Sequence, residues 1–528
     1  LVGGATVSAT PAATVTYRWQ YYGGSAWVDL PGATTPALRL TSDVTNAWLR
    51  LVATATNSRG SYEANSNFVT VRAATTGAYV DADAGNLHGC TVRASGSSGD
   101  GQVWCWGDNS WGQLGDGTTT RRAVMVPALG VTSALSVAAG RQHTCAVMSN
   151  GTVWCWGSND YGQTGGAQAT PAPVPGITTA VAVAIGDAHS CALLADRTVA
   201  CWGRNDKGQL GDGTTTNRAT RVTVVGLPPA VKIAAGGDTT CALLADTSVR
   251  CWGDNASKQL GDGTTTNRTS PVTVTSLGTA IDVSVGTGEA CVVLASRQVA
   301  CWGANGFSQL GDGTTTSSGT PVLVRNITTA GSVAVGASNA CALLTDATVR
   351  CWGSNRYGES GSTPVGIGIT LTSPGAVSGA SSIRSISAAL YADIALTTAP
   401  AVVGWGTNAQ GQVGDGTTTD RASATAAVTP AAPAITLTYI ADASGYSDRT
   451  PQVGATLTAT VIGASGVPAP TLAYQWFSQS GLDASLPIAG ATSSTFVVTS
   501  DLAMKKLTVR VTASSTTGSV TSLSSPTR

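Results

Sequence analysis

The sequence predicts an all-β chain, with a seven-bladed β-propeller flanked by two immunoglobulin-like β-sandwiches. Three observations lead there. A tryptophan recurs at positions 106, 156, 202, 252, 302, 352 and 405, in steps of 50, 46, 50, 50, 50 and 53 residues. Short Val/Thr/Leu runs alternate with Gly, Asp and Asn turns along the whole chain, and helix-period patterns are scarce. The two flanks lack cysteine and match each other segment by segment. A period near fifty residues marks supersecondary units stacked into a ring or array.

The bulk numbers narrow the class. A chain of 528 residues is longer than one core usually serves. The domains expected are residues 1–73, 74–430 and 431–528. Only 11% of residues are charged, and 29 basic side chains balance 29 acidic ones. Such a surface has no electrostatic footprint for nucleic acid or anionic lipid. No apolar run approaches a membrane span. The chain opens without Met, inside the strand-like run Val2 to Val7, and reads as processed or partial.

One repeat shows the elements in order. Val181–Ala184 is an apolar strand, Gly186 a turn, and Cys191–Leu194 a second strand. The Cys201-Trp202-Gly203 strand follows, then a loop with Asn205 and Gly208–Thr216, then a Val/Thr strand. Four such strands make a sheet too small to bury both faces alone. Stacking seven around an axis buries them and leaves few edges. The indole of each Cys-Trp-Gly strand is the natural filler between sheets.

The cysteines pair by spacing. Cys145 and Cys155, Cys191 and Cys201, Cys241 and Cys251, Cys291 and Cys301, and Cys341 and Cys351 are each ten apart. Cys90 and Cys105 are fifteen apart, with a Gly/Ser-rich insertion at 95–101. In the seventh repeat both positions change together, to Ile394 and Gly404. A hairpin with its turn at Asp196 sets Cys191 opposite Cys201, with Cα atoms ~4.5–5.5 Å apart. The alternatives are a reduced, buried cysteine ladder or metal sites. A metal needs more convergent ligands than one pair supplies. Six disulfides imply an oxidising, extracellular or cell-surface setting.

In the flanks, Tyr17-Arg18-Trp19 matches Tyr474-Gln475-Trp476, and Pro31–Thr34 matches Ala489–Thr492. Leu38–Asp43 matches Phe496–Asp501, and Leu49–Ala55 matches Leu507–Ala513. Alternating strands around a mid-domain Trp describe a β-sandwich. The second copy carries some twenty extra residues before Val453, including a strand at Ile435–Ile440. The first copy then reads as incomplete, with an open edge that another chain's strand would fill.

The run His143-Thr-Cys-Ala-Val, Gly151-Thr-Val, Trp156-Gly-Ser-Asn159-Asp-Tyr-Gly162-Gln resembles the regulator-of-chromosome-condensation repeat. That resemblance covers about two-thirds of the chain and implies a seven-bladed β-propeller. The Trp-Gly-x-Asn element occurs in all seven repeats, at Asn109, Asn159, Asn205, Asn255, Asn305, Asn355 and Asn408. Gly-Gln-Leu-Gly-Asp-Gly is complete at 112–117 and 208–213, and Lys258 and Ser308 replace its first Gly in repeats four and five. The flanks resemble bacterial immunoglobulin-like modules of secreted surface proteins.

Four groups of residues invite a chemical reading. His88, His143 and His189 each stand two residues before the first cysteine of a repeat. Adjacent sheets are ~10 Å apart, too far for one zinc, so the three read as structural. Asp116, Asp212, Asp262, Asp312 and Asp415 lie in Gly-Asp-Gly turns, which is ordinary turn chemistry. Asp81 and Asp83 form the densest carboxylate run, a weak calcium candidate that reads better as a junction turn. Trp111, Tyr161, Phe307 and Tyr357 share one loop position, filled elsewhere by Lys207, Ser257 and Gln410. Variation at a fixed loop position is how a binding rim would look.

No nucleophile, base or phosphate loop is recognisable, so no enzyme and no cofactor are expected. The function expected is an extracellular structural or adhesive protein, a subunit of a surface filament in its sharpest form. Its partners would be other protein chains, including copies of itself, or glycans. A secreted inhibitor or receptor, and the non-catalytic region of a larger surface enzyme, stand as alternatives.

Overall fold

The computed structural model describes residues 14–22, 27–30, 34, 48–57, 60–65, 69–70, 78–94, 101–166, 169–399, 401–429, 431–434, 437–441, 453, 455–462, 465–467, 471–480, 485–502, 505–515 and 518–524. The runs Val2–Val7 and Leu38–Asp43, and residues 95–100 of the insertion, lie outside them. The chain divides into two compact units, Leu1–Ala427 and Val428–Arg528.

Within the first unit, residues 79–426 form five separate four-stranded antiparallel sheets and one eight-stranded sheet. The eight-stranded sheet is two repeats joined where Ala134 pairs with Gly101. Repeat three is typical: Ala180–Ile185, His189–Leu194, Val199–Gly203 and Arg218–Thr223 pair in sequence order. Repeat two departs most, since its fourth strand shrinks to Ala172–Pro173 where the loop sequence degenerates. Ahead of the repeats, Trp27–Asp29, Thr14–Tyr22, Trp48–Asn57 and Gly60–Asn65 pair in that order around buried Trp19.

The second and third strands of each repeat pair so that the two cysteines face each other. Cys90 faces Cys105, Cys145 faces Cys155, and Cys191 faces Cys201. Cys241 faces Cys251, Cys291 faces Cys301, and Cys341 faces Cys351. Each facing pair is a disulfide: Cys90 with Cys105, Cys145 with Cys155, Cys191 with Cys201, Cys241 with Cys251, Cys291 with Cys301 and Cys341 with Cys351. All twelve cysteines are bonded, so the reduced ladder and the metal pairs do not apply. Their Cα atoms are 4.0–4.1 Å apart. This is shorter than the ~4.5–5.5 Å expected from the sequence for facing residues of antiparallel strands. Ile394 faces Gly404 in repeat seven.

Each repeat is tied to the next by its tryptophan. All seven indoles are fully buried. Trp156 packs into the core of repeat one, against Cys90, Cys105, Val92 and Leu114. Its Nε1–H donates to the Gln113 carbonyl at 2.8 Å. Trp202 donates to Gln163, Trp252 to Gln209, Trp302 to Gln259, Trp352 to Gln309 and Trp405 to Glu359, at 2.8–3.1 Å. Trp302 packs against Cys241 and Cys251, and Trp352 against Cys291 and Cys301, so each bridge lies under the next repeat's indole. Trp106 of repeat one donates to Gln412 of repeat seven at 2.7 Å and packs with Ile394 and Leu396. A Cβ on Gly211, where φ is +68°, would meet the next indole's Nε1 at 2.8 Å, so that loop position requires Gly.

In the second unit, Leu486–Pro487, Thr471–Gln479, Lys506–Ser515 and Gly518–Leu523 form one sheet, and Leu437–Ala441, Thr456–Ile462 and Thr495–Val497 another. Between them lies a core of Trp476, Leu507, Val509 and Val511. Of the strand expected at 435–440, the described part lies in Leu437–Ala441, which pairs with Thr456–Ile462.

Candidate loop-face interaction site

The turns after the first strand and the loops after the third strand emerge on the same face of the repeats. Backbone bonds bring them together: Asp108 N–H donates to Leu87, Ser158 to Gln142, Arg204 to Ala188 and Asp254 to Asp238.

The loop itself is built by three side chains. Asn109 Oδ1 accepts the Leu114 N–H, and its Nδ2 donates to Asp116 and to the carbonyls of Thr118 and Thr120. Asp116 Oδ1 accepts the Thr118 N–H and hydroxyl, and Oδ2 accepts from Arg122. Asp212, Asp262 and Asp415 are held the same way, by Arg218, Arg268 and Arg421. Burial opposes ionisation of Asp116, but the Thr118 and Arg122 hydrogen bonds outweigh it and hold the carboxyl below its ordinary range. The turn aspartates are thus occupied by the loop they build.

The third builder is the glutamine of Gly-Gln-Leu-Gly. Gln113 Oε1 accepts the Trp111 N–H at 2.9 Å. Gln163, Gln209, Gln259, Gln309 and Gln412 hold Tyr161, Lys207, Ser257, Phe307 and Gln410 in the same way, and Glu359 holds Tyr357. The backbone of the rim is therefore fixed while its side chains differ. Trp111, Tyr161 and Phe307 are 44%, 41% and 52% exposed. Tyr357 is half-buried, edge-on to Tyr391 at 5.5 Å. Arg204 lies over Tyr161 at 5.5 Å. Each aromatic stands on its own repeat, and no ring contact joins the four among the described residues.

The three histidines are buried. His88 Nε2 lies 2.8 Å from Thr144 Oγ1, His143 Nε2 2.9 Å from Ser190 Oγ, and His189 Nε2 2.8 Å from Thr240 Oγ1. Each hydroxyl donates its proton to the glutamine carbonyl that the next indole also uses, at Gln113, Gln163 and Gln209. The hydroxyl must therefore accept, so each imidazole carries its proton on Nε2. The three Nδ1 atoms have no hydrogen-bond partner among the described residues. Burial pushes His88 down to about 4, and His143 and His189 to about 3. All three are neutral structural links to the following repeat. Thr144, Ser190 and Thr240 escaped the sequence reading, although a hydroxyl before the cysteine in His-Thr-Cys, His-Ser-Cys and Thr-Thr-Cys was a usable signal.

The same position in later repeats holds Glu289 and Asn339. Glu289 is fully buried, its Oε1 has no partner among the described residues, and burial holds its carboxyl well above the ordinary range. Asn339 Nδ2 donates to Asp393 Oδ2 at 2.9 Å, and burial raises Asp393 well above the ordinary range too.

A cavity of about 380 Å³ runs between the repeats, lined by the first strand of each. Asp81 and Asp83 face it from the strand Tyr79–Ala84, which corrects the junction turn expected there. The turn comes after, at Gly85. Asp81 Oδ2 accepts the Val137 N–H at 2.9 Å, and Asp83 Oδ2 the Ala139 N–H at 2.8 Å. Asp83 Oδ1 accepts the Ser387 hydroxyl at 2.5 Å. Burial raises both carboxyls, Asp83 to about 6. Carboxyls tied to amides of the next repeat, and disfavoured as anions, are poor calcium ligands. The pair closes repeats one, two and seven together. Asp282 does the same for repeats five and six through the Val333 N–H at 3.0 Å, and it also holds Lys232.

Among the described residues, one group of sulfur and carboxylate atoms lies close enough to hold a metal: Cys341, Cys351 and Asp393. Both sulfurs are bonded to each other. Among the described residues, no helix is long and apolar enough to cross a membrane.

The geometry agrees with comparisons to known proteins. The family model of the RCC1-like domain matches residues 102–445. The chain is similar to yeast RCC1 (Prp20), solved bound to Kap60, at 20% identity over 64% of this chain and 86% of that one, with a TM-score of 0.57. Prp20p from Saccharomyces cerevisiae, solved in its own right, gives 22% identity over 62% and 86%, TM-score 0.57. Human WBSCR16 gives 19% identity over 73% and 100%, TM-score 0.55. At these identities the likeness is one of fold. No curated protein sequence matches the chain. A family match over more than half its length places this chain in the RCC1-like domain family.

Proposed function

We propose that this chain is an extracellular structural or adhesive protein without catalytic activity. Its repeats close into a seven-bladed propeller, and an immunoglobulin-like β-sandwich at each end joins it to neighbours. The loop face is the display surface, and its partners are protein chains, copies of this chain included. One observation carries the reading. The residue in front of each clamping glutamine or glutamate has its backbone fixed, while its side chain changes from Trp111 to Tyr161, Lys207, Ser257, Phe307, Tyr357 and Gln410. Rigid backbone with variable, exposed side chains suits recognition. Six buried disulfides suit an oxidising location. A related fold has been captured bound to a protein, as yeast RCC1 with Kap60.

The test is sedimentation of the full chain over a wide concentration range, beside the triple variant Trp111→Ala/Tyr161→Ala/Phe307→Ala. Concentration-dependent assembly that the triple variant loses is the expected result. A wild type that stays monomeric at the highest concentration removes the filament form. A triple variant that assembles like the wild type removes the rim.

A further inference from the structure

The six disulfides differ in what faces them from the next repeat. Cys90 Sγ lies 3.9 Å from Thr144 Oγ1, and Cys145 Sγ 3.8 Å from Ser190 Oγ. The equivalent residues for the next three bridges are Thr240, Ala290 and Ala340. For the sixth it is a carboxyl: Asp393 Oδ2 lies 3.5 Å from Cys341 Sγ. Asp393 is 1% exposed, and its Oδ1 has no hydrogen-bond partner among the described residues. It also sits on the repeat that has no bridge of its own, next to Ile394, which packs at the seam with repeat one.

We propose that the bond between Cys341 and Cys351 is proton-assisted and reducible, with Asp393 as the acid that serves Cys341. A thiolate of a dithiol reductant attacks Cys351 Sγ and forms a mixed disulfide, and the S–S bond breaks. The electron pair goes to Cys341 Sγ, which takes the proton of the Asp393 carboxyl. The second thiol of the reductant then displaces Cys351, leaving two protein thiols and one oxidised dithiol. Thiol–disulfide exchange is faster when the leaving sulfur departs as a thiol rather than a buried thiolate. Oxidation reverses the path, with the Asp393 carboxylate taking the proton back.

Burial and the nearby Glu359 carboxyl keep that proton in place, against the hydrogen bonds from Asn339, the Ala389 amide and the Trp405 indole, which favour the anion. Desolvation is the largest influence on the group and favours its protonated form. Both sulfurs are buried, so exchange runs through a local opening that uncovers Cys351 while Cys341 stays against Asp393. A hydroxyl in place of Asp393 is too weak an acid for the same service, and an alanine has no proton to give.

The test is limited reduction of the full chain with dithiothreitol, quenched by alkylation and read bridge by bridge by mass spectrometry. The Cys341–Cys351 bridge is expected to open first. Asp393→Asn is expected to slow that bridge about tenfold or more relative to Cys145–Cys155 in the same sample. Asp393→Ser, which copies Ser190 of repeat three, should bring it level with Cys145–Cys155 and serves if the amide variant fails to fold. Amide exchange in residues 341–351 reports hairpin opening separately from the chemistry. Equal or faster reduction in both variants, at unchanged opening, overturns the proposal. So does a wild type in which another bridge opens first.

Discussion

Repeats one to three and repeats five to seven join their neighbours with opposite chemistry on the same backbone. In the first arc a neutral histidine donates to a hydroxyl on the next repeat. In the second arc the position is held by Glu289 and Asn339, with Asp393 opposite Asn339. Both solutions bury a titratable group, and in both burial favours the neutral form. Neutral means deprotonated for imidazole and protonated for carboxyl, so the two arcs respond to pH in opposite directions. The backbone of this fold leaves that position open to several residues, including Thr239 and Ala392 in repeats four and seven.

The largest effect should be the acid limb of the first arc. Its histidines have folded values below the ordinary 6.5, so the folded state binds fewer protons than the unfolded one. Stability is complete above pH 6.5 and falls as the pH drops towards 4, by about 1.4 kcal/mol per pH unit for each histidine. Denaturant melts of His88→Gln/His143→Gln/His189→Gln should lose that slope. A slope that survives the triple change puts the acid sensitivity elsewhere.

The second arc should slope the other way. Glu289 is raised, so its contribution is complete below the unfolded carboxyl value near pH 4 and is lost as pH rises through its folded value. Glu289→Gln should melt above wild type at pH 8 and close to it at pH 4. A uniform offset at both would mean a packing change rather than a proton.

Breaking a link of the first arc should cost less. Thr144→Val leaves the His88 Nε2–H without an acceptor and resembles Ala340, the equivalent residue one repeat on from Glu289. The expected loss is about 1–3 kcal/mol, measured by urea titration at pH 7. No loss would mean that the imidazole finds another acceptor.

The second arc also lacks a bridge and carries strain. Ile394→Cys/Gly404→Cys places two thiols on facing residues, and a Cβ at Gly404 would meet Val413 O at 3.3 Å, so the neighbouring backbone must give by a few tenths of an ångström. Loop closure alone is worth roughly 2.5–3 kcal/mol, less the packing lost with Ile394. Non-reducing mass spectrometry and melting temperature would show whether the bridge forms and helps. Ser308 sits at φ +61° where the first arc has Gly112, Gly162 and Gly208. Ser308→Gly should gain about 1 kcal/mol or less, the smallest change of the set. Lys258, at +70°, has a visible accommodation, since Gly319 of the next repeat lies against its side chain where other repeats have Ala169 or Thr269.

The period, the strand order within a repeat, the cysteine pairs and the loop motif were legible because each is a local pattern repeated many times. Cys241 and Cys251, or Cys291 and Cys301, needed only a constant spacing, and Cys90 and Cys105 stayed readable through a five-residue lengthening of their hairpin. The Trp-Gly-x-Asn element showed where the loop begins, and its Asn does build the loop. The joints between repeats were not legible. Thr144, Asp282 and Asp393 act on the repeat before or after their own, at a distance of about fifty residues, and occur once or in changing guise. Asp81 and Asp83 were misread as a turn because two carboxylates beside Ala and Gly look solvated. In the fold they cap the inner-edge amides of the neighbouring sheet, a use that only the stacking of repeats creates. The rim was visible as variation at one position, whereas the glutamine that holds it was legible only as part of the Gly-Gln-Leu-Gly-Asp-Gly motif, with no role of its own.

The indole-to-carbonyl bond uses the same donor and the same acceptor at every joint, including the one between the last repeat and the first. A duplicated fifty-residue segment would arrive already equipped to clasp whatever stands on either side of it. Gene duplication could thus lengthen such a chain without inventing a new contact. The number of segments that closes the circle is then a matter of curvature alone.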